Sequence, residues 1–359
     1  MTKPARVLFV GDLNFYSKGA SRLAALRQSG ADVEAIPHTP TGGDTHGFVA
    51  PSLAFRVAWK FGIHLDSEQV NARLRNRVRQ SPPHLLWIEK GNMIHPATLR
   101  YIRATAPATV IASYSDDDMF NPLNRTRSYA ASLKYYDIVF TTKSYNADPS
   151  ELPALGARRC LVVDKAYDPK QHFPIKLTDQ DITTFGADVG FVGSFAPERA
   201  EVVEYLAANG IPVRVWGNGW TNYAAQSSNL RIEGRPLVNT TADLAFTKGI
   251  CATRINLGFL RKINRDLQTD RSIEIPACGG FMLAERSGEH ERLFEDGKEA
   301  VFFDSNEDLL AKIRYYMDHK KARRAIGLAG RARCETGDYS HAKRMQVMLA
   351  AASDGSMLS

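Results

Sequence analysis

The sequence predicts an α/β protein made of two halves, each a parallel β-sheet with helices on both faces. Short apolar segments alternate with segments whose apolar residues recur at helical spacing, and this strand–helix–strand order favours parallel sheets. The length of 359 residues suits two domains of ordinary size. A polar, proline-marked stretch, Pro169–Ala187, interrupts the alternation and predicts a linker between the halves.

The first half begins with the apolar strand RVLFVG, Arg6–Gly11, and continues with a helical pattern that closes at Gly30. The segment Asp32–Pro37 predicts the next strand. The later predicted strands are His84–Gly91, Thr109–Asp118, Asp137–Lys143 and Arg159–Asp168, with a helix over 95–107 and a short helix in SELPALGA, 150–157. We expect this half to form a domain over residues 1–175.

The second half repeats the pattern, and we expect it to form a domain over residues 187–337. Its helix at 197–210 begins with a proline and ends with a glycine, which are favoured at those positions. The predicted strands are 188–193, 212–220, 254–260, 281–285 and 300–303, and further helices are predicted at 241–249, 271–280 and within 305–334, the last capped by Ser305 or Asn306. The final segment, 338–359, predicts a helix that crosses back to the first half.

Composition narrows the class of protein without choosing a ligand. The formal net charge of +7 favours anionic partners, which include nucleotides, nucleic acid and acidic membrane surfaces. The four cysteines are far apart, so we expect reduced thiols and neither a disulfide framework nor a zinc site. The first apolar run ends at Asp12 and no stretch has the length of a membrane span, so we expect a soluble, cytoplasmic protein.

The stretch RDLQTDRSIEIPACGGFMLAE, Arg265–Glu285, is the most informative part of the chain. Charged side chains lie directly before an apolar, tightly turned segment. Charges next to a buried segment are more often functional than charges on a solvated face. The alternative interpretation is that these side chains form such a solvated face. Arg265 and Arg271 have the charge that a leaving diphosphate needs. Glu274, at the mouth of a predicted strand, suits hydrogen bonds to ribose hydroxyls.

Two glycine turns follow predicted strands of the second half. Gly193 and Ser194 precede a helix, where backbone N–H groups can bind phosphate, and Arg199 lies one turn into that helix. An ordinary strand–helix turn is the alternative. Gly217 allows a ligand to approach the backbone closely. The nearby Trp220 either stacks on a base or packs in the core, and we favour core packing.

Three acidic residues, Asp116, Asp117 and Asp118, follow a predicted strand of the first half. They suit a general base, contacts to acceptor hydroxyls or a helix cap. A metal is not expected, because no histidine or further acidic cluster provides ligand spacing. The individual histidines are interpreted as structural. The sequence contains no P-loop, no GxSxG elbow of a serine hydrolase and no HExxH motif of a zinc protease.

The second half resembles a known family. The stretch INLGFLRKINRDLQTDRSIEIPACGGFMLAERSGEHERLFEDGKEAVFFDSNEDLLAKIRYYM, Ile255–Met317, is similar to the C-terminal half of CgeB-like, group 1 glycosyltransferases, and weaker similarity covers IEKG, SYSDDD, DIVFTTKSYN and AYDPKQHFP. The resemblance implies the GT-B fold, in which two Rossmann-like domains face a central cleft. It further implies a nucleotide-sugar donor on the second domain, an acceptor on the first and no divalent metal or other cofactor.

The resemblance also assigns roles to residues. Related retaining enzymes carry two glutamates separated by seven residues; Glu274 matches the second, and the shorter acid Asp266 stands at the first. Arg265 and Arg271 would bind the diphosphate, with Arg254 or Lys262 assisting. The catalytic candidates are thus Asp266, Arg271 and Asp117, and the donor-binding candidates are Gly193, Ser194, Arg199, Gly217, Arg254, Arg265, Arg271, Glu274 and Glu291.

The expected function is transfer of a sugar to a cell-surface glycan or other small acceptor, with retention of configuration. If configuration is inverted instead, Asp116, Asp117 or Asp118 is the candidate base. Alternatives are a sugar-nucleotide epimerase and a non-catalytic protein that binds nucleotide or a partner. A nucleic-acid binder ranks last, because aromatic residues do not interleave with the charges of the basic run Lys312–Arg333. That run suits peripheral contact with the inner face of a membrane, although a solvated helix face is favoured.

Overall fold

The computed structural model describes residues 4–14, 17–40, 52–240 and 242–353. The chain divides into two compact units. The first unit contains Met1–Asp164 together with His341–Ser359, and the second contains Lys165–Ser340.

The first unit is built on a six-stranded parallel sheet whose strands lie in the order β2-β1-β3-β4-β5-β6. Residues alternate between two buried cores along β1: Val7 and Phe9 belong to one, and Leu8 and Val10 to the other. Burial on both faces explains why these strands are apolar runs. The strands are β1 Arg6–Gly11, β2 Asp32–Pro37, β3 Leu85–Glu89, β4 Val110–Ser115, β5 Ile138–Thr141 and β6 Cys160–Val162.

Helices connect these strands. The helices of the first unit are α1 Lys18–Gln28, α2 Leu53–Lys60, α3 Val70–Gln80, α4 Pro96–Thr105 and α5 Arg127–Ser132, with 3₁₀ turns at Leu133–Tyr135 and Ser144–Ala147. The sequence analysis assigned no element to α2, α3 and α5. The short helix predicted in SELPALGA is wrong, because residues 149–156 form turns and bends.

The second unit also has a six-stranded parallel sheet, in the order β12-β11-β10-β7-β8-β9. Its strands are β7 Ala187–Val192, β8 Val213–Trp216, β9 Leu230–Ile232, β10 Thr253–Gly258, β11 Met282–Glu285 and β12 Val301–Phe303. Its helices are α6 Asp179–Phe185, α7 Pro197–Ala208, α8 Ala245–Ala252, α9 Asp270–Ala277, α10 Gly288–Leu293, α11 Asn306–Asp318 and α12 Lys320–Thr336, with a 3₁₀ turn at Lys262–Asn264.

The last helix, α13, His341–Ser353, is grouped with the first unit. It packs against α1, and its Met345 and Met348 share a core cluster with Leu26 of α1 and Trp87 of β3. The Arg159 guanidinium donates to the Ala351 carbonyl at 2.7 Å, which also ties α13 to the sheet of this unit.

The boundary between the two units lies earlier in the chain than the predicted boundary between the two domains. The first unit ends at Asp164, before the predicted boundary at residue 175, and the stretch Pro169–Ala187 lies inside the second unit. That stretch contains α6, which Thr178 caps by accepting a hydrogen bond from the Asp181 N–H at 3.1 Å. It is therefore an ordered part of the second unit and not a free linker.

Among the described residues, no helix has both the length and the apolar character that crossing a bilayer requires.

Glycines let α12 lie close to the segment after α9. A Cβ atom at Gly327 would come within 2.5 Å of the Gly279 carbonyl oxygen. The Gly327→Ala variant should therefore lose about 1–3 kcal/mol of unfolding free energy through overpacking, although alanine favours a helix over glycine by about 1 kcal/mol. Urea denaturation followed by circular dichroism measures this free energy.

The matched control is Gly288→Ala at the first position of α10, where a new Cβ meets no heavy atom within 4 Å. We expect this control to unfold at the same urea concentration as the parent or at a slightly higher one. Equal stability of both variants would contradict the close approach of α12.

Candidate functional site

The candidate donor site lies at the carboxyl edge of the second unit's sheet. Because β8, β7 and β10 are parallel neighbours, the loops that follow them begin at one edge. These loops are residues 193–196 after β7, 217–220 after β8 and 259–269 after β10. They contain four of the nine predicted donor-binding residues, Gly193, Ser194, Gly217 and Arg265, which the sheet thus brings together from distant parts of the sequence.

Two glycines fix the loops after β7 and β8 to each other. The Gly193 N–H donates to the Trp216 carbonyl at 2.9 Å, and the Gly193 carbonyl accepts from the Trp220 indole at 2.9 Å. A Cβ atom at Gly217 would collide with the Gly193 carbonyl oxygen. Trp220 is fully buried, so it packs in the core, the favoured of its two predicted roles, and does not stack on a base.

Arg199 joins the loops after β7 and β10. Its buried guanidinium donates to the carbonyls of Ser194 at 3.0 Å and Phe259 at 3.2 Å. Burial, and after it the nearby charge of Arg261, lowers the pKa of Arg199 from its usual value. The sequence suggested an anion contact for Arg199, but the guanidinium is directed at backbone carbonyls, so it shapes the edge of the sheet.

Asp266 closes the loop after β10. Its carboxylate accepts hydrogen bonds from the Arg261 N–H at 3.3 Å and the Asn264 side-chain amide at 2.8 Å. Arg265, beside it, has a left-handed backbone with φ of 44° and an exposed side chain. Lys262 is also exposed and pairs with Glu285 at 2.9 Å. The loop therefore presents cationic side chains while the acid that follows them holds its shape.

Arg271 and Glu274 form an ion pair on α9. The Arg271 Nε donates to the Val192 carbonyl at 2.9 Å, and the guanidinium lies over the Phe246 ring, 4.4 Å from its centre. Glu274 is fully buried and its other oxygen lies 3.5 Å from His172 Nε2. The structure thus brings two predicted site residues together, but Glu274 is buried, so contact with a ligand would require the side chains around it to move.

Residues 165–173 lie against the same edge, which the sequence analysis did not foresee. The Lys165 N–H donates to Gln268 at 3.0 Å, and the Lys165 ammonium lies 3.4 Å from Asp270. The Gln171 carbonyl accepts from Asn239 at 3.2 Å and from Thr247. No local pattern signals these contacts, because each joins residues far apart in sequence.

Two further predicted donor-binding residues also lie outside these three loops. Arg254 stands near the amino end of β10 and pairs with Asp188 at 2.9 Å, also near the start of its strand, so Arg254 lies at the opposite edge of the sheet. Glu291 of α10 is exposed and pairs with Arg286 at 2.7 Å. Arg286 also binds Asp296, which places Glu291 in a surface cluster of charges and not in the loops described above.

His290 links α10 to α9. Its ring nitrogens lie 2.6 Å from the Ser272 hydroxyl and 2.7 Å from the Glu285 carbonyl, and the ring stacks on Phe302. Burial lowers the pKa of His290 to about 4, so the ring is neutral at physiological pH. This arrangement gives His290 a structural role in supporting the start of α9.

The first unit contains a separate cavity of about 760 Å³ at the carboxyl edge of its own sheet. Asp12 follows β1, His38 follows β2 and Glu89 ends β3, so parallel pairing brings them to one place. Asp116 and Asp117 follow β4, and α2 completes the wall. The sequence analysis named the acids after β4 but missed Asp12 and His38, although each directly follows a predicted strand.

A buried arginine organises one wall of this cavity. Arg22 binds Glu89 at 2.6 Å and Asp116 at 3.2 Å, and it lies 4.1 Å from the centre of the Tyr114 ring. Burial opposes the charge of Arg22, but the attraction of Glu89 and Asp116 is larger and raises its pKa well above the usual value. The Trp87 indole donates to Glu89 at 2.8 Å, so the carboxylate is fixed from two sides.

The three acids after β4 separate into different environments. Asp117 lines the cavity and pairs with Lys90, whereas Asp116 also accepts from the Tyr114 hydroxyl at 2.9 Å. Asp118 is fully buried and accepts from the Phe120 N–H at 3.2 Å and from Asn146 at 2.8 Å. Asp118 therefore stabilises the turn after β4, and the cavity is lined by the other two acids, Asp116 and Asp117.

Within the described ranges, no group of three or more histidine, cysteine, aspartate or glutamate side chains is arranged to hold a metal ion.

Two parallel six-stranded sheets with flanking helices define the GT-B class of glycosyltransferase folds, as predicted. The chain is similar to a glycosyltransferase from Rickettsia africae ESF-5, with 12% identity, a TM-score of 0.65 and full coverage of both chains. It is similar to Anabaena HepE in complex with UDP-glucose, with 11% identity and a TM-score of 0.61 over 98% of this chain and 100% of that one. At these identities the likeness shows the fold.

An epimerase shares the same fold. A putative UDP-N-acetylglucosamine 2-epimerase from Listeria monocytogenes is 13% identical, with a TM-score of 0.56 over 98% of this chain and 96% of that one. The sequence itself is more specific: residues 199–350 match the family model described as Glycosyl transferase-like, which confirms the predicted resemblance at the level of the family. No curated protein matches the sequence significantly.

Proposed function

We propose that the protein transfers a sugar from a nucleoside-diphosphate sugar to a glycan or other small acceptor. The observation that carries the proposal is the match of residues 199–350 to the glycosyl transferase-like family model. That region contains the loop after β10 and the whole of α9, where the exposed cations and the Arg271–Glu274 pair lie. The UDP-glucose complex of HepE, which has the same fold, supports this donor class.

The donor's diphosphate is proposed to bind at the loop after β10. Lys262 and Arg265 are exposed there, and cations at this position stabilise the charge that develops on a leaving diphosphate. The turn at Gly193 and Ser194 lies at the same edge, directly before α7. Glu274 is the proposed ribose contact, which it would make from its ion pair with Arg271.

Retention of configuration without a metal is the proposed mechanism. The donor's C1–O bond breaks with oxocarbenium character, the nucleoside diphosphate leaves against the cationic loop, and the acceptor oxygen attacks from the same face. Its proton passes to the leaving diphosphate, so no strong protein base is required. Asp266 remains the candidate nearest to the donor sugar, and Asp117 is the candidate base if configuration is inverted.

An epimerase is the second candidate, favoured by the fold of the Listeria protein. The two activities differ in their need for an acceptor. An epimerase converts a sugar nucleotide by itself, whereas a transferase consumes the donor in proportion to an acceptor. A non-catalytic protein would bind the nucleotide and leave it unchanged. Chromatography of the nucleotide products, with and without a mixture of acceptors, distinguishes all three.

The cationic loop gives a paired mutational test. Arg265→Gln should weaken UDP binding roughly three- to tenfold, because one charge is removed beside the proposed diphosphate position. Arg254→Gln removes the same charge from an exposed site at the opposite edge of the sheet and should leave the affinity unchanged. Isothermal titration calorimetry measures both, and equal losses would reject the assignment of the loop.

Stereochemistry and metal dependence are tested on the reaction product. With an α-linked UDP-sugar donor, proton NMR of the new glycoside should show the small anomeric coupling of an α linkage, and EDTA should leave the rate within about twofold, because protein cations meet the diphosphate charge. A β-linked product would establish inversion and would make Asp117 the candidate base. Complete loss of activity in EDTA would show that a metal is required.

A cytoplasmic location with peripheral membrane contact is also proposed. Lys320, Lys321 and Arg324 of α12 are exposed and can attract anionic lipid headgroups. The protein should sediment with vesicles that contain phosphatidylglycerol, and replacing these three side chains by glutamine should abolish that sedimentation. Equal sedimentation with neutral phosphatidylcholine vesicles would argue against an electrostatic contact.

A further inference from the structure

Helix α2 gives the cavity of the first unit an aromatic wall. Phe55, Trp59 and His64 form a cluster in which the Phe55 and Trp59 rings stack at 6.2 Å, and His64 meets their edges at 4.8 and 5.7 Å. All three line the cavity. An aromatic ring at the wall of a polar cavity offers an apolar surface to the C–H face of a sugar, whose hydroxyls need the polar groups around it.

The charges around the cavity leave two cations on α2. Five cationic side chains and four acidic ones line it, and the acid Asp12 accepts hydrogen bonds from Asn14 and Thr39 at 2.8 Å each. The acids Glu89, Asp116 and Asp117 are each held by a cation of the same cavity, Arg22 or Lys90. Arg56 and Lys60 of α2 also line the cavity. Neither has an ion-pair partner among the residues that the structure describes, and α2 itself carries no acid. A ligand with a negative charge would satisfy these two cations.

His38 adds an unused hydrogen-bonding group. Its Nδ1 atom is buried and has no hydrogen-bond partner among the described residues, and the residue lines the cavity. Burial lowers the pKa of His38 to about 4, so its ring is neutral at physiological pH and can bond a hydroxyl through either nitrogen. Buried polar atoms are almost always paired in folded proteins, so Nδ1 is suited to a hydroxyl of a bound ligand.

We propose that this cavity binds an anionic saccharide. The sugar ring lies against Trp59, a hydroxyl bonds His38, and the negative group lies between Arg56 and Lys60. The negative group is a carboxylate or a phosphate, both of which arginine binds with charge-assisted hydrogen bonds. The further statement that this saccharide is the sugar acceptor rests on the proposed function, whereas the binding site itself does not.

The test measures binding to the full-length protein without any donor. Ligand-observed NMR titrations with glucuronate, glucose 6-phosphate and glucose compare a carboxylate, a phosphate and a neutral ring of the same size. We expect at least one acidic sugar to bind five- to tenfold more tightly than glucose. The acidic sugar that binds more tightly shows whether the site prefers a carboxylate or a phosphate. Trp59→Ala should weaken all three, because each ring loses the same apolar surface.

A charge-matched pair of double variants tests the role of α2. Arg56→Gln with Lys60→Gln should reduce the affinity for the acidic sugar to that for glucose and leave glucose binding unchanged. Arg75→Gln with Arg79→Gln removes two charges from exposed positions on α3 that do not line the cavity, and it should change neither affinity. Circular dichroism checks that every variant retains its fold.

Several outcomes would overturn the proposal. Glucose could bind as tightly as the acidic sugars, the α3 control could lose as much affinity as the α2 variant, or inorganic phosphate alone could displace glucose 6-phosphate completely at equal concentration. The titrations contain no donor, so they stand even if no sugar is transferred. Conversely, UDP binding to the second unit could be demonstrated while this cavity fails to bind any saccharide.

Discussion

Parallel strand pairing is the constraint on which both candidate sites depend. Every strand of a parallel sheet ends at the same edge, so loops that are far apart in sequence begin side by side. In the second unit this rule brings Gly193 and the loop of Arg265 to one edge. In the first unit it brings Asp12 and Asp117 to one cavity. The same rule places Arg254, near the start of its strand, where no ligand loop begins.

Charge compensation then decides which side chains remain available. A buried charge is costly unless a partner of opposite sign accompanies it. Glu274 is accordingly held by Arg271, and Glu89 by Arg22, so these pairs build the walls of their sites. Arg265, in contrast, has an exposed side chain. This division separates the residues that give the sites their shape from those that can give them affinity.

The local sequence pattern predicted every strand of the two sheets except β9, and it failed where contacts between distant residues determine the structure. The strand at β1 was predictable because burial on both faces demands an uninterrupted apolar run. Residues 169–187 lack any periodicity, yet Gln171 and His172 are fixed by side chains far along the chain. Among the three acids after β4, the point at which the strand ends determines which carboxylates face the cavity, and Asp118 is turned inward. Composition carries no information about that end point.

The contact between His172 and Glu274 has a mechanical consequence. His172 belongs to residues 165–173, which directly follow Asp164, the last residue of the first unit on this side of the chain. A nucleotide that drew the Glu274 carboxylate toward itself would remove its contact with His172. The segment would then keep its hydrogen bonds to Gln268 and Asn239. Occupancy of the second unit would thereby alter how firmly one of the two covalent connections between the units is anchored, without any change in either sheet.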